Sequence, residues 1–141
     1  MKILAAHATV VALAAGSASP PGPPPRVGGT MTAPPPAWVE FGRSSRWLAY
    51  GSYCWETACV DMIPPDRRAD LPVLRVRRGQ LLRIQLRFAP RSVVVRVGSA
   101  VVKRDTARTT SWHARRSGLI FVDAKGRSGS ASYLARLTVR P

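Results

Sequence analysis

The sequence predicts an all-β protein: an immunoglobulin-like antiparallel β-sandwich of about 7–9 short strands, preceded by an export signal and a proline-rich linker. Three observations lead to this class. From Trp38 onward apolar residues alternate with polar ones at a period of two, turn residues separate these runs at intervals of about ten residues, and no stretch shows helical periodicity. Residues 38–141 have the usual size of one domain. A small barrel is the alternative packing.

The N-terminus has the pattern of a secretory signal peptide. A positive start, Met1-Lys2, precedes the apolar run Ile3 to Ala15, and Gly16 and Ala18 supply the small residues of a cleavage site after Ala18. We therefore assign residues 1–18 to the signal. The alternative, a membrane anchor, needs roughly 20 apolar residues. This run is shorter, so we predict a mature form without a transmembrane segment.

Residues 19–37 are predicted to be a proline-rich linker. Eight prolines fall between Pro20 and Pro36, in the blocks PPGPPP and APPP, and the stretch has no apolar periodicity. Proline blocks favour the extended polyproline II conformation, so the segment should act as a semi-rigid spacer. A docking motif for a partner that binds proline-rich segments is the alternative.

The chain contains two cysteines, Cys54 and Cys59, on either side of a predicted turn. In an oxidising compartment such a pair forms a disulfide. The short loop would contribute about 2 kcal/mol through chain entropy. A zinc site is not expected, because His113 is the only histidine beyond the predicted signal peptide and cannot complete a ligand set.

The alternation is clearest in the run LPVLRVRRGQLLRIQLRFAP. Leu74, Val76, Leu82, Ile84 and Leu86 share one phase, with arginines on the other, which predicts an adjacent strand pair that turns at Arg78-Gly79. Further strands are expected over 47–56, 58–63, 92–97, 100–103 and 106–115. A hairpin is expected from 118–123 and 132–139, around the turn-rich segment AKGRSGSA.

The segment GSYCWETACVDM, followed by PVLRVRRGQLLRIQL and a closing SASYLARLTV, resembles exported bacterial immunoglobulin-like domains of unknown function. In that family a G-x-Y-C-W segment precedes a second cysteine with a C-x-D continuation. The likeness spans Gly51 to Val139, and the cysteine segment is its distinctive part. The resemblance implies a sandwich fold and an extracytoplasmic location, with no activity to carry over.

The formal net charge is +15, from 22 basic and 7 acidic residues. Such a field attracts polyanions and anionic surfaces. We predict a basic sheet face that binds anions, formed by arginines on the polar phase of the predicted strands: Arg75, Arg77, Arg83, Arg87 and Arg96. The alternative is a solvated outer face that is rich in arginine because of codon usage. No specific nucleic-acid binding is expected of an exported protein.

Aromatic residues cluster before the second cysteine. Trp47, Tyr53 and Trp55 share one phase of a predicted strand, and Tyr50 shares the other with Cys54. Exposed indoles beside arginines would form a stacking platform for sugars. The alternative, which we favour, is that Trp55 packs in the core beside the disulfide.

We predict that the protein is not an enzyme and holds no cofactor or metal. His113, Ser111, Asp105 and Asp123 are the residue types of a hydrolase, but the sequence has no G-x-S-x-G motif. The spacing of the remaining carboxylates does not indicate a catalytic pair of the kind that hydrolyses sugars: Glu40, Glu56, Asp61, Asp66 and Asp70.

The expected function is that of an exported, envelope-associated binding module whose partner is an anionic envelope polymer or acidic surface. The alternative is a secreted inhibitor or effector that binds a protein partner through an exposed turn, either Cys54 to Cys59 or Ala124 to Ser130. A binding face requires contiguous arginines, and an inhibitor requires a rigid, protruding turn.

Overall fold

A computed structural model describes residues 20–25 and 32–141, so the predicted signal peptide, residues 1–18, lies outside the described residues. The described chain contains eleven strands and one 3-10 turn, Pro65–Arg67. The strands are β1 (Trp38–Phe41), β2 (Ser44–Trp47), β3 (Ala49–Trp55), β4 (Ala58–Val60), β5 (Val73–Arg77), β6 (Leu81–Gln85), β7 (Pro90–Val97), β8 (Ala100–Asp105), β9 (Thr109–His113), β10 (Gly118–Gly126) and β11 (Gly129–Arg140).

The strands form two sheets that enclose one main core. The small sheet has the order β2-β1-β6-β9, and the large sheet has the order β4-β3-β11-β10-β7-β8. β5 adds to the large sheet beside the second half of β11, and this pairing is parallel, whereas the other pairings are antiparallel. The predicted all-β sandwich with one disulfide is thus confirmed. It has eleven strands in place of seven to nine, because Trp38 to Trp47 forms a hairpin of two four-residue strands, whereas the first predicted strand began at Trp47.

The predicted apolar phase of the LPVLRVRRGQLLRIQLRFAP run is correct. Leu74, Val76, Leu82, Ile84 and Leu86 are all buried in the main core. The predicted pairing is wrong, because β5 pairs with β11 whereas β6 pairs with β1 and β9. The chain therefore passes from one sheet to the other at Arg78-Gly79. An arch between two sheets and a hairpin within one sheet both turn the same residues inward, so alternation does not distinguish them.

Gly79 makes this crossing turn. Its φ of 85° lies in the region that favours glycine, and its N–H donates to the carbonyl of Ala114 at 2.7 Å. The N–H of Arg78 donates to the carbonyl of Arg140 at 2.8 Å. The turn is thus bonded to the loop after β9 and to the end of β11, which brings these three segments together.

A bulge in β3 changes which aromatic residues face the core. Ala131 pairs with Tyr53, and Tyr133 pairs with Tyr50, so an interval of two residues on β11 lies opposite an interval of three residues on β3. Tyr50 and Tyr53 therefore both face the core, although the sequence analysis put them on opposite phases. Gly51 sits in the bulge, where a Cβ would lie 2.3 Å from the Oγ of Ser132, so a larger residue would displace this hydroxyl from its hydrogen bond to the carbonyl of Ser52.

Part of the segment predicted as a spacer lies against the sandwich. Pro34 and Ala37 are buried, and Ala33 packs against the core. The hydroxyl of Tyr50 donates to the carbonyl of Pro34 at 2.6 Å, and that of Tyr133 donates to the carbonyl of Pro35 at 2.7 Å. Both bonds satisfy buried phenols, so the contacts of the domain begin before Trp38.

The predicted disulfide is present. Cys54 and Cys59 are directly opposite each other on β3 and β4, which are joined by the turn Glu56-Thr57. Trp55 lies in the core, in edge contact with Phe88 at 5.0 Å between ring centroids, whereas Cys54 is exposed. The preferred alternative for the aromatic segment, a core role, therefore holds for Trp55.

Replacing both Cys54 and Cys59 by Ala should lower the free energy of unfolding by about 2 kcal/mol, because the unfolded chain gains the entropy of a loop of a few residues. Urea denaturation of the oxidised chain and the variant measures the difference. Adding a reductant to the variant should change nothing. A variant as stable as the oxidised chain would contradict the expected contribution.

The protein should lose stability in alkali. Burial, with a smaller effect from Tyr53, raises the pKa of Tyr50 to about 12, and burial also raises the pKa of Tyr133. Unfolded tyrosines ionise near pH 10, so between pH 10 and 12 only the unfolded state loses these protons, and stability falls by up to about 1.4 kcal/mol per pH unit for each tyrosine.

Below pH 10 this contribution should be constant. Unfolding measured from pH 8 to 12 tests the expectation, with the Tyr50→Phe and Tyr133→Phe variants as controls. Each variant should be about 1 kcal/mol less stable at neutral pH through the lost hydrogen bond, but should show a shallower alkaline decline. An equal decline in the variants would exclude these tyrosines as its cause.

Candidate anion-binding surface

The five arginines predicted to form one face lie on two different sheets. Arg75 and Arg77 project outward from β5 in the large sheet, whereas Arg83 projects outward from β6 in the small sheet, and Arg87 follows β6. The outer faces of a sandwich point away from each other. The predicted single stripe is therefore wrong, and the arch at Arg78-Gly79 is the physical reason.

Arg96 shares the outer face of the large sheet but lies far from β5. It is half-buried on β7, where its ladder partners are Phe121 and Val101. Two strands, β10 and β11, separate β7 from β5. At about 4.8 Å per strand, the backbone of Arg96 lies about 14 Å from that of β5.

The structure brings other arginines to Arg75 and Arg77. In the parallel ladder Arg77 is directly beside Arg140, Arg75 is beside Thr138, and all four side chains are exposed. Adjacent strands lie about 4.8 Å apart, so Arg77 and Arg140 extend side by side into solvent. The sequence analysis missed Arg140, because alternation predicts the face on which a residue lies but not its neighbour strand.

Two further arginines join at the end of β11. A cavity of about 250 Å³ is lined by Arg78, Arg115, Ser117 and Arg140, together with Val139 and Pro141. The backbone bond from Arg78 to the Arg140 carbonyl closes one side of it. We call Arg75, Arg77, Arg78, Arg115 and Arg140 the basic cluster.

Ser117 adds a hydroxyl donor to this cavity. Its Oγ accepts the N–H of Val139 at 2.8 Å, which fixes the oxygen and leaves the hydroxyl hydrogen to donate elsewhere. The guanidinium groups offer forked N–H donors at the same place. The lining of the cavity thus contains donors of the kinds that bind phosphate, sulfate and carboxylate groups.

The basic cluster has no carboxylate partner among the described residues. In residues 20–25 and 32–141 the one salt bridge joins Arg68 and Asp70, at 2.7 Å. Arg136, the other exposed arginine of β11, is held by a bond from its Nη2 to the carbonyl of Pro65 at 2.9 Å. The five arginines of the cluster therefore keep their full positive charge toward solvent.

In the described residues no side-chain hydrogen bond joins His113 to Ser111, Asp105 or Asp123, although Ser111 lies on the same strand and a cavity of about 210 Å³ is lined in part by His113, Arg115 and Arg116. The Nδ1 of His113 lies 3.0 Å from the carbonyl oxygen of Gly79. Asp105 accepts the N–H groups of Thr106 and Ala107, and Asp123 lies on β10 in the other sheet. Within the described part of the chain, no group of three or more His, Cys, Asp or Glu side chains has the arrangement of a metal site.

The two turns considered for partner binding differ. The Cys54 to Cys59 turn is exposed and crosslinked. The Ala124 to Ser130 segment is mostly strand, since β10 and β11 pair as far as Gly126 and Gly129 and leave Arg127-Ser128 as the loop. The carbonyl of Ser128 accepts the N–H of Glu56 at 2.7 Å, so a backbone hydrogen bond joins the Arg127-Ser128 loop to the Cys54 to Cys59 turn.

No protein-family model, no curated protein and no solved structure matches this chain. The resemblance to exported immunoglobulin-like domains therefore stays a prediction. In the part of the chain that the structure covers, no helix is long and apolar enough to cross a membrane.

Proposed function

We propose that the protein is an exported, non-enzymatic binding module that holds an anionic macromolecule, such as a cell-envelope polymer, through the basic cluster. The Cys54–Cys59 disulfide supports export, because disulfides persist in oxidising compartments. The predicted signal peptide, 1–18, supports the same location. The basic cluster replaces the stripe predicted from the sequence.

The parallel register of Arg77 and Arg140 carries this proposal. Like charges directly opposite each other in a sheet are destabilising. Neither side chain has an acidic neighbour that would offset this cost in the described structure. A bound anion would remove the repulsion between these two arginines. The free energy gained in this way would strengthen the binding of the anion.

The shape of the cluster favours a polymer with repeated anionic groups. The cavity between Arg78, Arg115 and Arg140 has room for one such group, at about 250 Å³. Arg75 and Arg77 continue along β5, where alternate residues on one face are about 7 Å apart. A chain of phosphates could therefore place one group in the cavity and the next groups along the strand.

A variant with Gln in place of Arg75, Arg77, Arg78, Arg115 and Arg140 should elute from immobilised polyphosphate at a lower salt concentration than the wild-type chain. The slope of log affinity against log salt should fall by about one for each lost phosphate contact. Elution across a salt series measures both quantities.

The matched control changes five exposed arginines outside the cluster to Gln: Arg43, Arg83, Arg87, Arg104 and Arg127. Both variants lose the same charge. If the two variants elute together, retention follows net charge alone and the basic cluster is not a site. Retention of the control near the wild-type value would support the proposal.

A further inference from the structure

A second surface lies beside Trp47 and is separate from the basic cluster. A groove of about 650 Å³ is lined by apolar residues that include Trp47, Met62, Leu71 and Pro72, and Tyr50, whose side chain is buried in the core, also borders it. This volume is in the range of sites that bind small molecules and peptides. The polar groups at its border are Arg46, Arg68 and Asp70.

The chain's own proline-rich segment lies along the opposite wall. Pro21, Pro23 and Pro25 line the groove, and the indole Nε1–H of Trp47 donates to the carbonyl of Gly22 at 3.2 Å. Only Pro21 and Pro25 are half-buried, while the other four residues of the 20–25 segment are exposed. The segment is therefore held by few contacts and does not fill the groove.

The contacts match the way proteins bind proline-rich segments. Proline has no N–H, so such a segment presents flat rings and free carbonyl oxygens, which bind to aromatic surfaces and to an indole or phenol donor. Its restricted backbone also loses little conformational entropy on binding. Trp47 provides both the aromatic surface and the donor.

The segment has a shape of its own. Gly22 has a φ of 42°, which is a left-handed conformation that other L-residues adopt at a cost. A Cβ at this position would meet no atom within 4 Å, so the requirement for glycine comes from the bend and not from space. The groove thus accepts two proline blocks joined by a bend.

The floor of the groove is fixed without the segment. Arg68, whose side chain is 7% exposed, forms two hydrogen bonds with the carboxylate of Asp70 and one with the backbone carbonyl of Tyr50. The hydrogen bond from the Tyr50 hydroxyl to the carbonyl of Pro34 fixes the Tyr50 ring in the core beneath this surface. Such a preformed surface needs little reorganisation to bind a ligand.

We propose that the Trp47 groove is a recognition site for a bent Pro-Gly-Pro segment of a partner protein, and that the chain's own 20–25 segment competes for it. The contacts of the resident segment define the ligand class, and the open space beside it leaves room for exchange. A tethered competitor acts at an effective concentration of about 1 mM. A resident segment with an intrinsic Kd of about 0.1 mM would therefore weaken the binding of a partner peptide roughly tenfold.

The test uses the synthetic peptide SPPGPPPR, the sequence of residues 19–26, added to the full ¹⁵N-labelled chain. Binding is followed through the indole N–H resonance of Trp47, which is assigned with Trp47→Phe. A Pro21→Ala/Pro25→Ala chain should bind the peptide roughly tenfold more tightly than wild type, because its own segment is weakened. The control chain is Pro20→Ala/Pro24→Ala, which changes two exposed prolines outside the groove and should bind like wild type.

Two further measurements address the chemistry of recognition. Changing Trp47 to Phe in the Pro21→Ala/Pro25→Ala chain keeps an aromatic ring but removes the donor, so this chain should bind the peptide several-fold more weakly than its Pro21→Ala/Pro25→Ala parent. Isothermal titration calorimetry measures this affinity, because the Trp47 indole resonance is lost. A peptide that carries the Gly22→Ala change should bind about 5- to 30-fold more weakly, because the bend is then strained. Far-ultraviolet circular dichroism confirms that each variant is folded.

The proposal is overturned if the peptide fails to bind the Pro21→Ala/Pro25→Ala chain, or binds it and the wild-type chain with the same affinity. Equal affinity for the peptides with and without the Gly22→Ala change would also overturn it, since the bend is then not recognised. If the wild-type chain dimerises through this segment, its mass in solution will rise with concentration. This result would overturn the proposal that the segment competes within its own chain. None of these results depends on the basic cluster.

Discussion

β11 is bonded along both of its edges, and the positions of both proposed binding surfaces depend on this pairing. One edge pairs with β10 from Gly129 to Leu137. The other edge pairs with β3 over its first half and with β5, in parallel, over its second half. A strand with three partners has little freedom to shift, because a slip of one residue would expose Tyr133, Ala135 and Leu137, which are buried in the core. The register that places Arg140 beside Arg77 is thus enforced by packing on the opposite face.

The sequence was sufficient for the sandwich, the inward phase of β5 and β6 and the disulfide, because these depend on local patterns. Alternation identifies Leu82 and Ile84 as core residues wherever β6 lies. It does not identify the partner of a strand, so Arg83 was grouped with Arg75 although the chain changes sheets between them. The composition of the basic face was therefore predicted only in part: Arg75 and Arg77 were found, whereas Arg78, Arg115 and Arg140 depend on long-range contacts.

The aromatic residues illustrate a second limit. Tyr50 and Tyr53 are three residues apart and would face opposite sides of a regular strand, but the bulge at Gly51 turns both inward. A glycine inside a strand pattern is a known sign of a bulge or of a close backbone contact, so a signal existed. The docking of the proline-rich segment had a weaker signal. Buried tyrosines need hydrogen-bond acceptors, and the free carbonyls of Pro34 and Pro35 supply them, but composition alone is equally consistent with a spacer.

The distance between the two surfaces differs along the basic cluster. The groove adjoins β11 near Tyr133 and Leu134, whereas Arg140 of the cluster lies at the end of this strand, about 20 Å away. Arg75 is closer, because it follows Pro72 of the groove lining by three residues, or about 10 Å. Groups more than about 10 Å apart without shared partners contribute additively to binding, so changes at Arg78, Arg115 and Arg140 should leave the groove intact.

The net charge of +15 bears on the two surfaces differently. Salt screens the attraction of an anion to exposed arginines, while ring contacts and an indole hydrogen bond respond weakly to salt. Salt dependence therefore separates the two modes of binding within one chain.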